Sequence, residues 1–139
     1  MNEDITMINK VLLLEDNIFK TADITRALEQ YGITGLHKVR NQEDGKERLL
    51  EAIKQKKPYD LIITDMNYPL ESGKETDPEA GFKLLLWLKA KRIVTPVIIC
   101  SSYQYREPSV LGCNWYHKNG DLYSAFKELL DSYNNVIAQ

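Results

Sequence analysis

The sequence predicts an α/β protein, a three-layer sandwich in which a five-stranded parallel sheet lies between two layers of helices. Short apolar segments alternate along the chain with longer segments of helical periodicity, and this alternation is typical of parallel sheets. The apolar segments are nearly continuous, which indicates strands that are buried on both faces. The length of 139 residues allows one domain around a single core. We expect this core at about residues 9–134, with no output domain attached.

The first half of the chain predicts two strands, each followed by a helix. Residues 10–14 (KVLLL) form an apolar run too short for a helix, and a helical pattern over 17–31 follows. Residues 35–39 predict a weaker second strand, and Asn41 caps a helix that ends in the basic run 54–57. The face of the first helix that we expect to point inward consists of Ile18, Ala22, Thr25 and Leu28.

The second half of the chain continues the alternation. Residues 59–64 (YDLIIT) predict the third strand, and 77–88 (beginning with DPE) predict a helix whose first residue is the N-cap. Residues 96–100 (PVIIC) predict the fourth strand and 115–117 a short fifth. Asp121 then caps a last helix. The inward face of that helix is predicted to consist of Leu122, Phe126, Leu129, Leu130 and Tyr133.

Five such strands with right-handed crossovers commonly adopt the flavodoxin-like order 2-1-3-4-5. In that order, ligands bind at the carboxyl ends of the first and third strands. Glu15, Asp16 and Asp65 follow those two strands. Carboxylates crowded there repel, by about 4 kcal/mol for two charges about 4 Å apart. Mg²⁺ is the simplest counterion, because it binds oxygen ligands.

Two further polar residues end strands at the same edge. Ser101 ends the fourth strand and Lys118 ends the fifth, so a hydroxyl and a second cation are predicted beside the carboxylates. Acidic residues, a hydroxyl and a lysine at one sheet edge are suited to handling a phosphoryl group. The edge is therefore the place where we expect chemistry.

Composition excludes several other functions. The net charge is −2, which argues against direct binding of nucleic acid. No apolar run approaches the roughly 20 residues that span a bilayer, and the first residues do not resemble a secretory signal, so we expect a cytoplasmic protein without membrane contact. The sequence contains no CxxC, GxGxxG or GxxxxGK[ST] motif, which excludes the corresponding zinc, dinucleotide and P-loop sites.

Four segments stand out at the strand ends: 13–17 (LLEDN), 65–69 (DMNYP), 96–102 (PVIICSS) and 116–118 (YHK). In this order they resemble the CheY-like receiver domain of two-component response regulators. Each motif is weak alone, but all four fall on the matching elements, and the resemblance covers nearly the whole chain.

The resemblance implies a role for each site residue. Asp65 would be the phosphoacceptor, and Ser101 and Lys118 would contact the attached phosphoryl group. The phosphoryl donor would be a histidine kinase or a histidine phosphotransfer protein, and the product would act on a downstream protein partner without enzymatic turnover. The implied Mg²⁺ ligands are Glu15, Asp16, Asp65 and the main-chain carbonyl of Asn67.

The chain departs from the family pattern at three places. Asn119 stands where a proline usually follows the lysine, so we expect a trans peptide there. The loop 70–79 is long. The connection 102–114 shows no helical period, which predicts that the fourth helix of the family is shortened or absent. The side chains of this connection would cover the sheet or form a partner-binding patch. The loss of a helix would favour a homodimer.

Two other kinds of function remain open from the sequence. A pseudo-receiver would keep the fold and act only as a protein-interaction module. A Mg²⁺-dependent phosphotransferase or phosphatase of another α/β family, or a flavodoxin, is the other alternative. Among such enzymes, the haloacid-dehalogenase type favours DxD after the first strand, and flavodoxins favour a hydroxyl-rich phosphate loop. This chain has residues 15–17 (EDN) there.

Overall fold

The computed structural model describes residues 8–137, which form seven strands and four helices. The strands are β1 (Lys10–Leu14), β2 (Gly35–Val39), β3 (Leu61–Thr64), β4 (Tyr68–Pro69), β5 (Thr76–Asp77), β6 (Val97–Ser101) and β7 (Gly112–Trp115). The helices are α1 (Ile18–Tyr31), α2 (Gln42–Lys54), α3 (Ala80–Ala90) and α4 (Leu122–Ile137). Each of these helices is too short or too polar to span a membrane.

Five strands form one parallel sheet in the order β2-β1-β3-β6-β7. This is the predicted order 2-1-3-4-5, because β4 and β5 lie outside it in a separate antiparallel ribbon. The fold class predicted from the sequence is therefore confirmed. Leu14 pairs with Thr64 and Thr64 with Ile99, so the carboxyl ends of β1, β3 and β6 lie at one edge of the sheet.

Helices cover both faces of the sheet. On one face, α1 and α4 bury Ile24, Leu28 and Phe126 against the central strands. On the other face, α2 and α3 bury Leu49 and Leu84. Each fully buried side chain of this size contributes about 1.5–3 kcal/mol relative to an exposed one. Burial on two faces explains why the strands read as continuous apolar runs.

The predicted inward face of α1 is correct at Leu28 and wrong at Ile18. Ile18 is 61% exposed, and the buried positions of this helix are Lys20, Ile24, Ala27 and Leu28. The N-cap sets this rotation: the Asn17 side chain accepts hydrogen bonds from the main-chain N–H groups of Phe19 and Lys20. The cap thus turns a lysine toward the sheet, in line with the apolar residues four and eight positions later.

The third helix begins later than predicted, and the fifth strand of the sheet begins earlier. The helix starts at Ala80 rather than 77, because Asp77 pairs with Tyr68 in the β4–β5 ribbon and its carboxylate accepts a hydrogen bond from the Glu79 N–H. The strand spans Gly112–Trp115 rather than 115–117. At Gly112 an added Cβ would lie 2.5 Å from Leu129 Cδ2, so the missing side chain lets α4 pack closely on β7.

The connection between β6 and β7 contains no helix, as predicted. It is partly anchored on the sheet side: Val110 packs against the core, and the Tyr105 ring contacts Phe82 edge-on at 5.9 Å. Tyr103 is exposed. The described residues contain no cis peptide, so the bond before Asn119 is trans as expected.

Candidate phosphoacceptor site

Glu15 and Asp65 lie side by side at the carboxyl edge of the sheet. Each follows directly on a central strand, and the Asp65 N–H donates a hydrogen bond to the Leu14 carbonyl at 3.2 Å. Their exposure differs: the Glu15 side chain is 2% exposed and the Asp65 side chain 13%. Of the two carboxylates, Asp65 is therefore the one that a ligand from solvent can reach.

The ammonium group of Lys20 lies between these two carboxylates. Its Nζ is 2.9 Å from Glu15 Oε1 and 3.3 Å from Asp65 Oδ2. It also donates a hydrogen bond of 2.7 Å to the Cys100 carbonyl on β6. The residue is only 4% exposed, and the Tyr116 ring covers the ammonium at 5.4 Å. A buried lysine from α1 thus joins β1, β3 and β6.

The remaining carboxylate oxygens are held by main-chain groups. Asp65 Oδ1 accepts a hydrogen bond from the Met66 N–H at 2.7 Å, and Glu15 Oε2 accepts one from the Asn17 N–H at 3.0 Å. All four oxygens of the pair therefore face a donor or the ammonium. This arrangement fixes the orientation of both side chains.

Burial and the neighbouring charges shift the pKa values of Glu15 and Lys20, and Lys20 stays charged. Burial raises the pKa of Glu15 to about 7, with Lys20 opposing and Asp65 adding to the rise. For Lys20, burial lowers the pKa, but the attraction of Glu15 and Asp65 outweighs it, and the net pKa is raised. The ammonium is therefore protonated at neutral pH.

A buried polar network fixes the segment that follows Asp65. The Tyr68 hydroxyl accepts hydrogen bonds from the Thr64 hydroxyl at 3.0 Å and the Gln42 amide at 3.1 Å. The same amide donates to the Ala80 carbonyl at 2.7 Å. Burial raises the pKa of Tyr68 to about 12, so the hydroxyl stays neutral. The network connects β3, α2 and α3 beneath the loop beside Asp65.

Gly81 allows α3 to begin directly against the backbone of Asp65. A Cβ at this position would lie 2.7 Å from the Asp65 carbonyl oxygen and 2.2 Å from Met66 Sδ. The Gly81 N–H also donates a hydrogen bond to the Met66 carbonyl at 3.1 Å. The absence of a side chain at residue 81 therefore helps to define the position of the strand end.

The structure brings some of the predicted site residues together and leaves others apart. Ser101 is buried at the end of β6, and its Oγ accepts a hydrogen bond from the Tyr103 N–H at 3.2 Å. Asp16 is half-buried; its main-chain carbonyl binds Arg40 at 3.1 Å, while its carboxylate contacts no cation among residues 8–137. Asn67 is exposed.

Lys118 does not lie beside Asp65. It is exposed and lines a surface pocket together with Asp23 and Trp115, and within the described part of the chain it forms no ion pair. Trp115 stacks on His117 with ring centroids 3.7 Å apart. The cation that reaches Asp65 is instead Lys20, which the sequence interpretation missed. Its signal was a lysine in the apolar stripe of α1, in line with Ile24.

The pocket as arranged does not fit a divalent metal ion. Among the residues that the structure describes, no group of three or more His, Cys, Asp or Glu side chains could hold a metal. Mg²⁺ requires about six oxygen ligands in octahedral geometry. Here two of the three predicted carboxylates, those of Glu15 and Asp65, face an ammonium and main-chain N–H groups. The metal set predicted from the sequence is therefore not assembled in this structure.

No protein-family model matches the chain, and no curated protein sequence matches it significantly. Solved structures do match it. A two-component response regulator from Cytophaga hutchinsonii has a TM-score of 0.70 at 17% identity, over 95% of this chain and 98% of that one. The phosphorylated cyanobacterial phytochrome response regulator RcpA has a TM-score of 0.64 at 21% identity, over 91% and 92%.

The Mn²⁺-bound form of response regulator Rcp1 is also similar, with a TM-score of 0.60 at 18% identity over 91% of this chain and 92% of that one. At such identities the likeness concerns the fold. It agrees with the strand order, with the helices on both faces and with the resemblance found in the sequence. The chain has the CheY-like fold of response-regulator receiver domains.

Proposed function

We propose that this chain is a receiver-type signalling module in which Asp65 accepts a phosphoryl group from a phosphohistidine. The donor is a histidine kinase or a histidine phosphotransfer protein, and the phosphorylated chain acts on a downstream protein in the cytoplasm. It turns over no substrate of its own. RcpA, which has this fold, is known in a phosphorylated form, and this supports the proposal.

The observation that carries the proposal is the contact between Lys20 Nζ and Asp65 Oδ2 at 3.3 Å. Phosphoryl transfer requires a positioned oxygen nucleophile and positive charge close to the phosphoryl oxygens. Asp65 supplies the nucleophile at the more exposed side of the pocket, and Lys20 supplies the charge. Ser101, at the end of the neighbouring strand, supplies a hydroxyl at the same edge.

The reaction forms one bond and breaks one. A carboxylate oxygen of Asp65 attacks phosphorus in line with the phosphorus–nitrogen bond of the donor. That bond breaks, its electron pair stays on the imidazole nitrogen, and the ring leaves as neutral histidine when its other nitrogen carries a proton. The product is an aspartyl phosphate, whose added negative charge faces the Lys20 ammonium.

The start of α1 is suited to dock the donor. Ile18 and Phe19 are 61% and 75% exposed, and they lie in the same turn as Lys20. Exposed apolar side chains beside a buried site are a common feature of protein interfaces. We expect a histidine-bearing partner to cover them while its phosphohistidine faces Asp65.

Binding of Mg²⁺ and contact of Lys118 with the phosphoryl group stay predictions from the sequence. Rcp1, which has this fold, is known in a Mn²⁺-bound form, and this supports the expectation of a divalent ion. In this chain the ammonium of Lys20 stands between the carboxylates instead. Homodimerisation also stays a prediction.

Intact-mass measurement tests the proposal directly. The wild type is incubated with phosphoramidate, with and without MgCl₂, and compared with Asp65→Asn. Glu75→Gln, which changes an exposed carboxylate in the neighbouring loop, is the matched control. We expect one hydroxylamine-sensitive phosphoryl adduct on the wild type and on the control, and none on Asp65→Asn. A folded wild type without an adduct would contradict phosphoacceptance.

A pseudo-receiver is the second candidate, because Lys20 closes the pocket and Lys118 lies away from it. Such a protein would bind its partner through the same surface without phosphorylation. The two candidates differ in the mass experiment. They also differ in partner binding, which Asp65→Asn would leave unchanged only in the pseudo-receiver.

A further inference from the structure

Lys20 places a positive charge in the acidic pocket from inside the protein. An ammonium group has three N–H donors and no acceptor. Here Nζ has three oxygen partners, at 2.9 Å on Glu15, 3.3 Å on Asp65 and 2.7 Å on the Cys100 carbonyl. The contact with Cys100 is a hydrogen bond, and the contacts with the two carboxylates are ion pairs. Burial makes these contacts stronger than they would be in water.

A divalent ion bound between Glu15 and Asp65 would need the same oxygens. Carboxylate oxygens bind Mg²⁺ at about 2.0–2.1 Å. Because Glu15 Oε1 and Asp65 Oδ2 both face Nζ, a metal bound to them would lie in contact with the ammonium. Two cations at that distance repel strongly in a buried site. The metal and the ammonium therefore exclude each other.

The ammonium is also difficult to displace. The main-chain N–H of Lys20 is bonded to the Asn17 cap at 2.9 Å, so the first turn of α1 holds the residue in place. Withdrawal of Nζ would break its hydrogen bond to the Cys100 carbonyl, and the Tyr116 ring lies over the ammonium. The Tyr116 hydroxyl is itself fixed by a hydrogen bond to Asp23.

We propose that Lys20 is the resident cation of this pocket and that its ammonium replaces a divalent metal ion at Glu15 and Asp65. The chain keeps the two carboxylates together without Mg²⁺, and removal of the Lys20 charge makes their oxygens more favourable to a divalent ion. The proposal rests on the contacts of Lys20 and not on phosphorylation of Asp65. It holds for a receiver and for a pseudo-receiver alike.

Metal titration of three proteins tests this proposal. Wild type, Lys20→Met and the control Lys89→Met, at an exposed position of α3, are titrated with Mn²⁺, and free Mn²⁺ is followed by electron paramagnetic resonance. We expect weak, unsaturated binding to the wild type and to Lys89→Met, and saturable binding to Lys20→Met at least about tenfold tighter. Addition of Mg²⁺ should displace the Mn²⁺ from Lys20→Met. Equal affinity of the wild type and Lys20→Met would overturn the proposal.

A second measurement needs only proteins that keep Lys20, in case Lys20→Met does not fold. The unfolding temperature of the wild type is compared in chelator and in millimolar Mg²⁺, with Glu15→Gln as the control for the pocket. A ligand that binds the folded state raises this temperature. We expect no change for the wild type. A saturable rise that Glu15→Gln abolishes would contradict the proposal. Because no phosphodonor is used, the result is independent of the phosphoacceptor test.

Discussion

The Nζ atom of Lys20 lies 2.9 Å from Oε1 of Glu15, although the two residues belong to different elements, α1 and the end of β1. Only the short segment 16–19 separates them in sequence. Asn17 connects the two, because its N–H donates to Glu15 and its side chain caps the helix that carries Lys20. The strand end, the cap and the lysine therefore form one local unit, which places a cation beside Asp65.

Lys20→Met should destabilise the protein by about 3 kcal/mol, because it leaves two buried carboxylates without their cation. The double variant Lys20→Met/Glu15→Gln removes one of those carboxylates. Its loss in free energy of unfolding should be about 1–2 kcal/mol smaller than the sum of the losses of the two single variants. Chemical denaturation of the four proteins measures this coupling. If the losses of the two single variants add up to that of the double variant, the contact between Lys20 and Glu15 contributes nothing to stability.

Tyr68→Phe should lower the free energy of unfolding by about 1–2 kcal/mol. The substitution keeps the ring but removes the hydroxyl that Thr64 and Gln42 bond, and it leaves buried polar groups with fewer partners. Tyr103→Phe is the matched control, because Tyr103 is exposed and should change stability by less than about 0.5 kcal/mol. Equal stability of the two variants would argue against the network.

Gly81→Ala should destabilise the fold by about 1–3 kcal/mol, even though alanine favours helices. The new Cβ would approach the Asp65 carbonyl oxygen to 2.7 Å, and a backbone atom in a strand end cannot easily move away. Lys89→Ala, at an exposed position of the same helix, is the control. A stabilised Gly81→Ala variant would show that α3 does not begin against Asp65.

His37 should make the protein less stable as the pH falls below 6.5, the ordinary pKa of histidine. Burial lowers its pKa, and the charges of Arg48 and Lys10 lower it further. The unfolded chain then binds more protons than the folded one at acidic pH, so acidification favours unfolding. The Tyr59 hydroxyl lies 2.6 Å from Nδ1, a contact suited to the neutral ring.

Unfolding measured across this pH range should show a smaller decline for His37→Gln than for the wild type. The carboxylates of the protein titrate in both, so the difference between the two curves isolates the histidine. Parallel curves would mean that His37 takes up its proton equally in the folded and the unfolded chain.

The sheet and its chemistry-bearing edge could be predicted from the sequence for a simple reason. Apolar runs bounded by polar residues locate β1 at the predicted residues and β3 within them, and parallel topology then brings Glu15 and Asp65 to one edge. The inward position of Lys20 could not be predicted in this way. Lys20 and Ile18 are two residues apart, and the rotation of α1 about its axis decides which of them faces inward. The Asn17 cap sets that rotation.

Long-range contacts account for the other differences. The β4–β5 ribbon consists of two-residue strands, which are too short to show a periodicity, and it is fixed by Tyr68 against Gln42, 26 residues away. The direction of Lys118 depends on the backbone of an exposed turn, which its local sequence does not specify.

Nuclear magnetic resonance of the lysine ammonium groups tests the central claim of a resident internal cation most directly. In ¹⁵N-lysine-labelled protein, a buried, hydrogen-bonded ammonium gives a proton signal that exchanges slowly with water. We predict such a signal for Lys20, present in chelator, unchanged by Mg²⁺ and absent for exposed Lys118. A Lys20 ammonium that exchanges as fast as that of Lys118, or that becomes free when Mg²⁺ is added, would contradict the account.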